Sequence, residues 1–294
     1  ILTIIIIAVV VISVGIMPAI FLRERFKAVA TTDAGKRNLQ IAESGSAIRR
    51  NIGDFSRGFV TTLKVKPFLK LCIATFLVFN GFMMVASFQF YVIIYYVFAG
   101  DTVAGAEYAG YAGTLGAVST FCVIVFVTWL ATKIGKRRAF FLAIGISMAG
   151  YALKWVCYNP DIPWLLLLPA PFIAFGLGGL FTLMPSMIAD VVDYDELNTR
   201  ERREGMYGSI FWWVVKLGMA AALAAGGFIL NATGFDVSLG SNQSEQTIFF
   251  MRIFDAFVPC ITSGVAIWII ASYSITEEKA HGVRLKLEAI RGAV

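Results

Sequence analysis

The sequence has a single histidine, His281, and four scattered cysteines that form no C-x-x-C pair. His281 lies in a charged C-terminal segment, and no second histidine is available to it. Neither a His-rich metal site nor a Ser–His or Cys–His catalytic arrangement is therefore indicated. The phosphate-binding pattern G-x-x-x-x-G-K-[ST] is also absent. We expect no enzymatic activity, no cofactor and no metal site in this chain.

Charged residues are scarce as well. They make up 15% of the 294 residues, whereas 58% are hydrophobic and the mean hydropathy is +0.76. Soluble domains contain about 45–50% apolar residues, and here the apolar residues occur in runs long enough to cross a bilayer. This composition predicts an all-α polytopic membrane protein. The net charge of +6 follows from the topology described below, so we expect no nucleic-acid partner.

Seven apolar runs predict seven transmembrane helices. They lie at residues 1–22, 67–98, 104–132, 139–158, 164–189, 205–230 and 248–274. The first run has no basic flank before it and no small-residue cleavage site, so we interpret it as a transmembrane helix and not as a signal peptide. Because the chain begins at Ile1, we expect a fragment of a longer protein.

The lysines and arginines are distributed unevenly between the connecting segments. Segments 23–66, 133–138, 189–204 and 275–294 contain 21 of the 25. The alternate connections 99–106, 158–163 and 231–247 contain none. Because positively charged connections stay in the cytoplasm, the four basic segments are predicted to be cytoplasmic, and the other three connections lie outside.

Three of the remaining basic residues lie near the ends of predicted spans. Lys70, Lys154 and Arg252 are placed so that their side chains can extend toward the membrane surface. Arg252 and Asp255 are three residues apart, which brings them to one helix face. We expect these two residues to form a structural ion pair.

Lys216 is the one basic residue deep inside a predicted span. It lies about 16 Å into the membrane at ~1.5 Å per residue, where a lysine costs about 2.5–3.5 kcal/mol on insertion scales. We expect it to face a cavity, with a fixed acidic partner on another helix as the alternative. Gly218, Ala222 and Gly226 recur every four residues on the same helix and predict a close-packing face.

A stretch of alternating charge follows the span that ends at residue 189. Asp190 and Asp193 lie three residues apart on one helix face, and arginines follow within ten residues. Acidic groups and arginines at the mouth of a cavity can form ion pairs in one state and break them in another. The predicted cytoplasmic gate comprises Asp190, Asp193, Tyr194, Arg202, Arg203 and Glu204, with a solvated helix end as the alternative.

These residues also carry a resemblance to a known family. The stretch from Met187 to Leu197, then Arg202–Gly205, then Lys216–Gly218 resembles the glycoside–pentoside–hexuronide:cation symporters in residue order and spacing. This is the melibiose-carrier-like branch of the major facilitator superfamily. Lys66–Leu69 and Ile275–Lys279 extend the resemblance to other parts of the chain.

The resemblance implies a fold and a division of the chain. Members have twelve spans in two six-helix halves, and this chain is similar to spans 6–12. Residues 1–22 would be the sixth span and 23–66 the central cytoplasmic loop. Residues 67–274 would be the C-terminal six-helix transmembrane half, and 275–294 a cytoplasmic tail. The N-terminal six-helix half would be missing.

The resemblance further implies symport of a sugar or glycoside with Na+ or H+ by alternating access. The expected partners are a small-molecule sugar, a coupling cation, the lipid bilayer and the missing half, in the bacterial inner membrane. Lys216 matches the family's lysine in the eleventh span. Phe181 falls on the melibiose carrier's sugar-stacking tryptophan, and Phe211 and Trp212 fall on its polar pair. These four residues are the candidate substrate and coupling residues, and the differences argue against melibiose itself as the substrate.

Two other functions remain open on the sequence. A lysolipid carrier can be built on the same fold, since that branch is related. Seven spans with the chain start outside also fit a seven-helix receptor or retinal protein. A retinal lysine belongs in the last span, however, and residues 248–274 contain no lysine.

Overall fold

The computed structural model describes residues 12, 16, 56–240 and 242–291, which form helices and connections without a strand. The chain divides into two units, Ile1–Gly58 and Phe59–Val294, and the helices below belong to the second. The predicted first span, 1–22, and most of the predicted central loop, 23–66, lie outside the described residues. Residues 56–63, at the end of that loop, are helical.

The described part of the chain contains six long apolar helices and a shorter polar helix. We number them α1 Lys66–Val92, α2 Thr102–Ile134, α3 Lys136–Cys157, α4 Pro169–Thr199, α5 Glu204–Ala232, α6 Glu245–Ala271 and α7 Glu277–Arg291. α1 continues into a π-helical turn, Ile93–Val97. Short 3-10 helices, Pro163–Leu167 and Val237–Leu239, precede α4 and α6. Helices α1 to α6 are each long and apolar enough to cross a membrane, which confirms the all-α polytopic fold class.

Local sequence signals explain where several helices begin. Pro67 occupies the first turn of α1, where a missing backbone N–H costs no hydrogen bond. The Asp101 carboxylate accepts hydrogen bonds from the backbone N–H groups of Val103 and Ala104 and caps α2. Gly135 adopts a φ of 85° between α2 and α3, a conformation that favours glycine. A single residue therefore reverses the chain between these two spans.

Small residues allow the helices to pack closely. α1 packs most extensively against α6 and α5, and α4 packs against α3 and α2. At Gly150 of α3, an added Cβ would lie 2.8 Å from the backbone nitrogen of Ile173, so only glycine permits this approach. Gly218, Ala222 and Gly226 are all buried, and Gly218 faces α1 at Phe76 and Phe79. This confirms the predicted packing face.

Two segments differ from the sequence prediction. α4 does not end at residue 189 but continues to Thr199, so the acidic residues lie on a helix, and residues 200–203 alone connect it to α5. Arg200 ends this helix in the left-handed conformation. The predicted tail forms α7, in which Ala280, Val283 and Leu287 are buried and which packs against α4. Apolar side chains at helical spacing explain why this segment docks.

Candidate functional site

Lys216 lies on the uncovered face of α5. The packing face at Gly218 points to α1. Lys216 is two residues before Gly218, and a separation of two residues rotates the side-chain direction by about 200° around the helix axis. Lys216 is accordingly exposed. It forms no hydrogen bond or ion pair with any residue that the structure describes, so an acidic partner on helices α1–α4, α6 or α7 is not observed. The alternative of a fixed acid within this half is therefore not supported by the geometry.

Aromatic side chains from α4 and α5 meet one turn before this lysine. The Phe181 and Trp212 rings stack with centroids 6.0 Å apart and an interplanar angle of 17°. Phe79 of α1 approaches Phe181 edge-on at 5.7 Å. Trp212 is 53% exposed, whereas Phe211 is buried at 3% and touches Trp212 edge-on at 5.5 Å. Phe211 therefore supports the tryptophan from within the core and offers no surface to a ligand.

This arrangement combines an apolar platform with a cation. Trp212 and Lys216 are four residues apart on one helix and so lie one above the other. An exposed indole ring can cover the apolar face of a sugar ring or an alkyl chain, and the ammonium supplies three hydrogen-bond donors for hydroxyl or acidic groups. We define Phe181, Trp212 and Lys216 as the substrate-side cluster.

A second cluster lies nearer the C-terminal end of α4 and centres on Asp190. The Asp190 side chain is 8% exposed and forms ion pairs with Lys136 at 2.6 Å and with Arg284 at 2.9 Å. Lys136 begins α3 and Arg284 lies on α7, so one carboxylate joins three helices. The Tyr273 hydroxyl donates a hydrogen bond to the Met187 carbonyl at 3.3 Å. Burial raises the pKa of Tyr273, so this donor stays protonated.

The other predicted gate residues form separate contacts. Arg203 binds Asp195 through two guanidinium nitrogens, with the shortest distance 2.7 Å. Arg202 bridges Glu196 and Glu204, and the hydrogen bonds that it donates to Glu204 raise the pKa of Arg202. Asp193 is half-buried and forms no ion pair with another described residue.

Tyr194, the remaining predicted gate residue, lies under the Lys279 ammonium, 4.9 Å from its ring centroid. Three contacts were not anticipated from the sequence: Lys136 and Arg284 as partners of Asp190, and Asp195 as the partner of Arg203. The only sequence signal for Arg284 was the helical spacing of apolar residues in 277–291, which predicts a docked helix.

The expectations for the outer-end charges are wrong. Asp255 does not pair with Arg252 but with Lys154, whose ammonium lies 2.6 Å and 2.5 Å from the two carboxylate oxygens. Lys154 does not extend to the membrane surface, because its side chain is only 1% exposed. Arg252 lies instead between the rings of Tyr96 and Trp155, at 4.0 Å and 4.5 Å from their centroids. Helix packing brings Lys154 and Asp255 together from positions 101 residues apart.

Comparisons with known proteins agree with this architecture. The model of a family described as MFS/sugar transport protein matches residues 2–277. An uncharacterised symporter of Synechocystis is 29% identical over 184 residues, which cover 60% of this chain and 34% of that protein. A glucuronide carrier protein homolog of Escherichia coli is 28% identical over 171 residues, or 58% of this chain and 37% of that protein.

A sphingosine-1-phosphate transporter of Xenopus tropicalis is 27% identical over 242 residues, which cover 81% of this chain and 45% of that protein. In each of these three alignments the chain spans less than half the length of the relative. The similarity therefore covers a part of each transporter and not the whole.

Proposed function

Because the chain belongs to the family of MFS/sugar transport proteins, we propose that it forms the C-terminal half of a secondary transporter. The complete transporter, meaning this chain together with an N-terminal six-helix half, carries a sugar or glycoside with Na+ or H+ across the bacterial inner membrane. The observation that carries this proposal is the position of Lys216, an exposed cation inside a membrane-spanning helix.

Lys216 supports the proposal through the cost of its charge. A lysine near the centre of a bilayer costs about 2.5–3.5 kcal/mol on insertion scales, and no described residue compensates it with an ion pair. The compensating groups therefore come from outside this half: water in a cavity, a bound substrate, or acids of the second half. Relatives more than twice the length of the aligned segment are consistent with such a half.

In this mechanism the substrate-side cluster binds the sugar at the interface of the two halves. The Phe181–Trp212 stack covers the apolar face of the sugar ring, and the Lys216 ammonium binds its hydroxyl groups or an acidic substituent. Cation binding neutralises acids of the second half and changes how strongly they attract Lys216. Cation occupancy is thereby linked to the affinity of the sugar site.

The cluster around Asp190, which the charge distribution predicts to lie on the cytoplasmic side, acts as the inner gate. Asp190 joins α4 to α3 and α7, and Arg203 joins the start of α5 to α4 through Asp195. These pairs hold the cytoplasmic ends of four helices together while the site is open to the outside. They separate when the ends of these helices move apart and the site opens inward.

A lysolipid is the second candidate substrate. The observation that favours it is the similarity to the sphingosine-1-phosphate transporter over 81% of this chain, together with an aromatic platform in which Phe181 carries no hydrogen-bonding group. Such a platform accepts an alkyl chain as well as a sugar ring, and the Lys216 ammonium suits a phosphate group.

The test is uptake by the complete transporter in vesicles with an imposed Na+ or H+ gradient. Lys216→Val is expected to lower cation-driven glycoside uptake at least about a hundredfold, a loss of ~2.7 kcal/mol, while the variant still reaches the membrane. Lys216→Arg restores little uptake, because a planar guanidinium differs in shape from an ammonium. Lys286→Val on the exposed face of α7 is the matched control and leaves uptake unchanged.

Uptake of a radiolabelled lysophospholipid is measured in the same vesicles. Lysolipid uptake without glycoside uptake would replace the sugar by the second candidate. Full cation-driven uptake by Lys216→Val would show that this lysine has no part in coupling and would remove the main support for the proposal.

A further inference from the structure

Lys154 and Asp255 form the most deeply buried ion pair of the described residues. Their side chains are 1% and 2% exposed, and the Lys154 ammonium lies 2.5–2.6 Å from both carboxylate oxygens. Both residues lie inside membrane-spanning helices, Lys154 in the last turn of α3 and Asp255 in the first half of α6. The transport mechanism proposed above uses neither of them.

Aromatic side chains close the space around this pair. The Lys154 ammonium lies 5.1 Å from the centroid of the Tyr158 ring. Arg252, one turn before Asp255, is held between Tyr96 and Trp155 and donates to the Trp155 carbonyl at 2.8 Å. Tyr96 belongs to the π-helical turn that ends α1. The cluster therefore joins α1, α3 and α6.

The geometry excludes a ligand at this position. The small space bordered by Val92, Trp155, Tyr158 and Ala256 beside the pair has no room for a water molecule. The ammonium already occupies the place that a coupling cation would need between the two carboxylate oxygens. A metal ion that reached Asp255 would have to displace the Lys154 ammonium, which is covalently attached to the chain.

Each charge depends on the other for its presence in the membrane. Removing one partner of a buried pair leaves an uncompensated charge and is strongly destabilising, whereas replacing both partners by apolar residues of similar volume is often neutral. In a bilayer an isolated charge has no water to solvate it. The pair is thus stable only as a unit, and replacing one of its members alone by a neutral residue destabilises the protein.

We propose that Lys154 and Asp255 form a clamp in which each charge requires the other. The clamp fixes α3 to α6 and, with Arg252 and Tyr96, holds the outer ends of α1, α3 and α6 as one body while the transporter changes state. The clamp takes no part in cation coupling, a statement that rests on the proposed function. The clamping role itself does not depend on it.

The test compares single and paired replacements in the complete transporter. Lys154→Met and Asp255→Leu alone are each expected to reduce the amount of monodisperse protein in detergent to roughly a tenth or less. The Lys154→Met/Asp255→Leu double variant returns to within about twofold of the wild type. The controls Lys133→Met and Glu245→Gln neutralise exposed charges and leave the amount unchanged.

The second readout is the cation dependence of uptake. The double variant is expected to keep the wild-type dependence on Na+ and on pH, because the clamp works without charge once it is apolar. A well-folded double variant with altered cation dependence would overturn the proposal, since the pair would then belong to the coupling machinery. Single variants that accumulate like the wild type would also overturn it.

These results separate the clamp from the proposed function. If the wild type transports no glycoside, the proposed function fails, whereas the comparison of single and double variants for protein amount still decides on the clamp.

Discussion

At the scale of single residues, two aspartates on one helix illustrate how position decides the role of a charge. Asp190 and Asp193 are three residues apart on α4 and look equivalent in the sequence. Asp190 forms ion pairs with Lys136 of α3 and Arg284 of α7, whereas Asp193 forms no ion pair with any described residue. The gating role predicted for both residues should therefore depend mainly on Asp190.

Asp190→Asn is expected to favour the inward-open state, because it removes the carboxylate that joins Lys136 and Arg284. Reactivity of a cysteine placed at Ser186, one turn deeper on α4, should rise about fivefold. This corresponds to a shift of about 1 kcal/mol in the equilibrium toward the inward-open state. The measurement is labelling from the cytoplasmic side in a variant without the four native cysteines. Asp193→Asn is the control, and equal labelling rates in the two variants would contradict a special role of Asp190.

At the scale of elements, α7 is a docked helix and not a solvated tail. Its buried residues Ala280, Val283 and Leu287 recur at helical spacing and pack against α4. Docking also places Arg284 beside Asp190 and Lys279 over the Tyr194 ring. The stability of the inner gate is therefore coupled to the docking of the C-terminal helix.

Leu287→Asp is expected to detach α7, because it puts a carboxylate into an apolar contact that is 4% exposed. Tryptic cleavage at Arg284 and Lys286 should become at least about tenfold faster. The expected reason is that the free energy of detaching α7 falls by ~1.4 kcal/mol, which raises the population of the cleavable, detached form tenfold. Leu285→Asp changes a side chain that is 53% exposed and should leave the rate unchanged. Equal cleavage of the two variants would show that α7 is not held by its apolar face.

At the scale of the whole molecule, α1 to α6 each span the membrane, so the described connections between them lie alternately on its two sides. The connection between α5 and α6 contains no lysine or arginine, whereas α7 and the turn between α2 and α3 are rich in them. The positive-inside rule therefore predicts that α7 and that turn lie in the cytoplasm. The inner gate, which uses Lys136 and Arg284, lies on the same side.

This orientation is tested with cysteines introduced at Asn242 and His281, both of which are exposed. In right-side-out vesicles, Asn242→Cys should react with a membrane-impermeant maleimide, whereas His281→Cys should react only after the membrane is opened. Both should react equally in detergent, which serves as the control. Reaction of His281→Cys in sealed vesicles would reverse the topology and place the proposed gate outside.

The sequence by itself determined the properties that depend on local composition. Apolar runs predicted the six spans of α1–α6, because membrane insertion is decided segment by segment. The orientation that the distribution of lysine and arginine predicts stays a prediction. The depth of Lys216 and the packing face at Gly218 and Ala222 also follow from helical geometry along one segment. Position along a single helix is enough for each of these predictions.

Only the tertiary structure decided which charges meet. Lys154 and Asp255 are 101 residues apart, and Asp190 and Arg284 are 94 residues apart. Near neighbours in the sequence, such as Arg252 and Asp255, suggested the wrong pair. Ion pairs between helices depend on which faces pack together and on the rotation of each helix about its axis, and neither is encoded within one segment. The sequence therefore located the charged residues, whereas helix packing selected their partners.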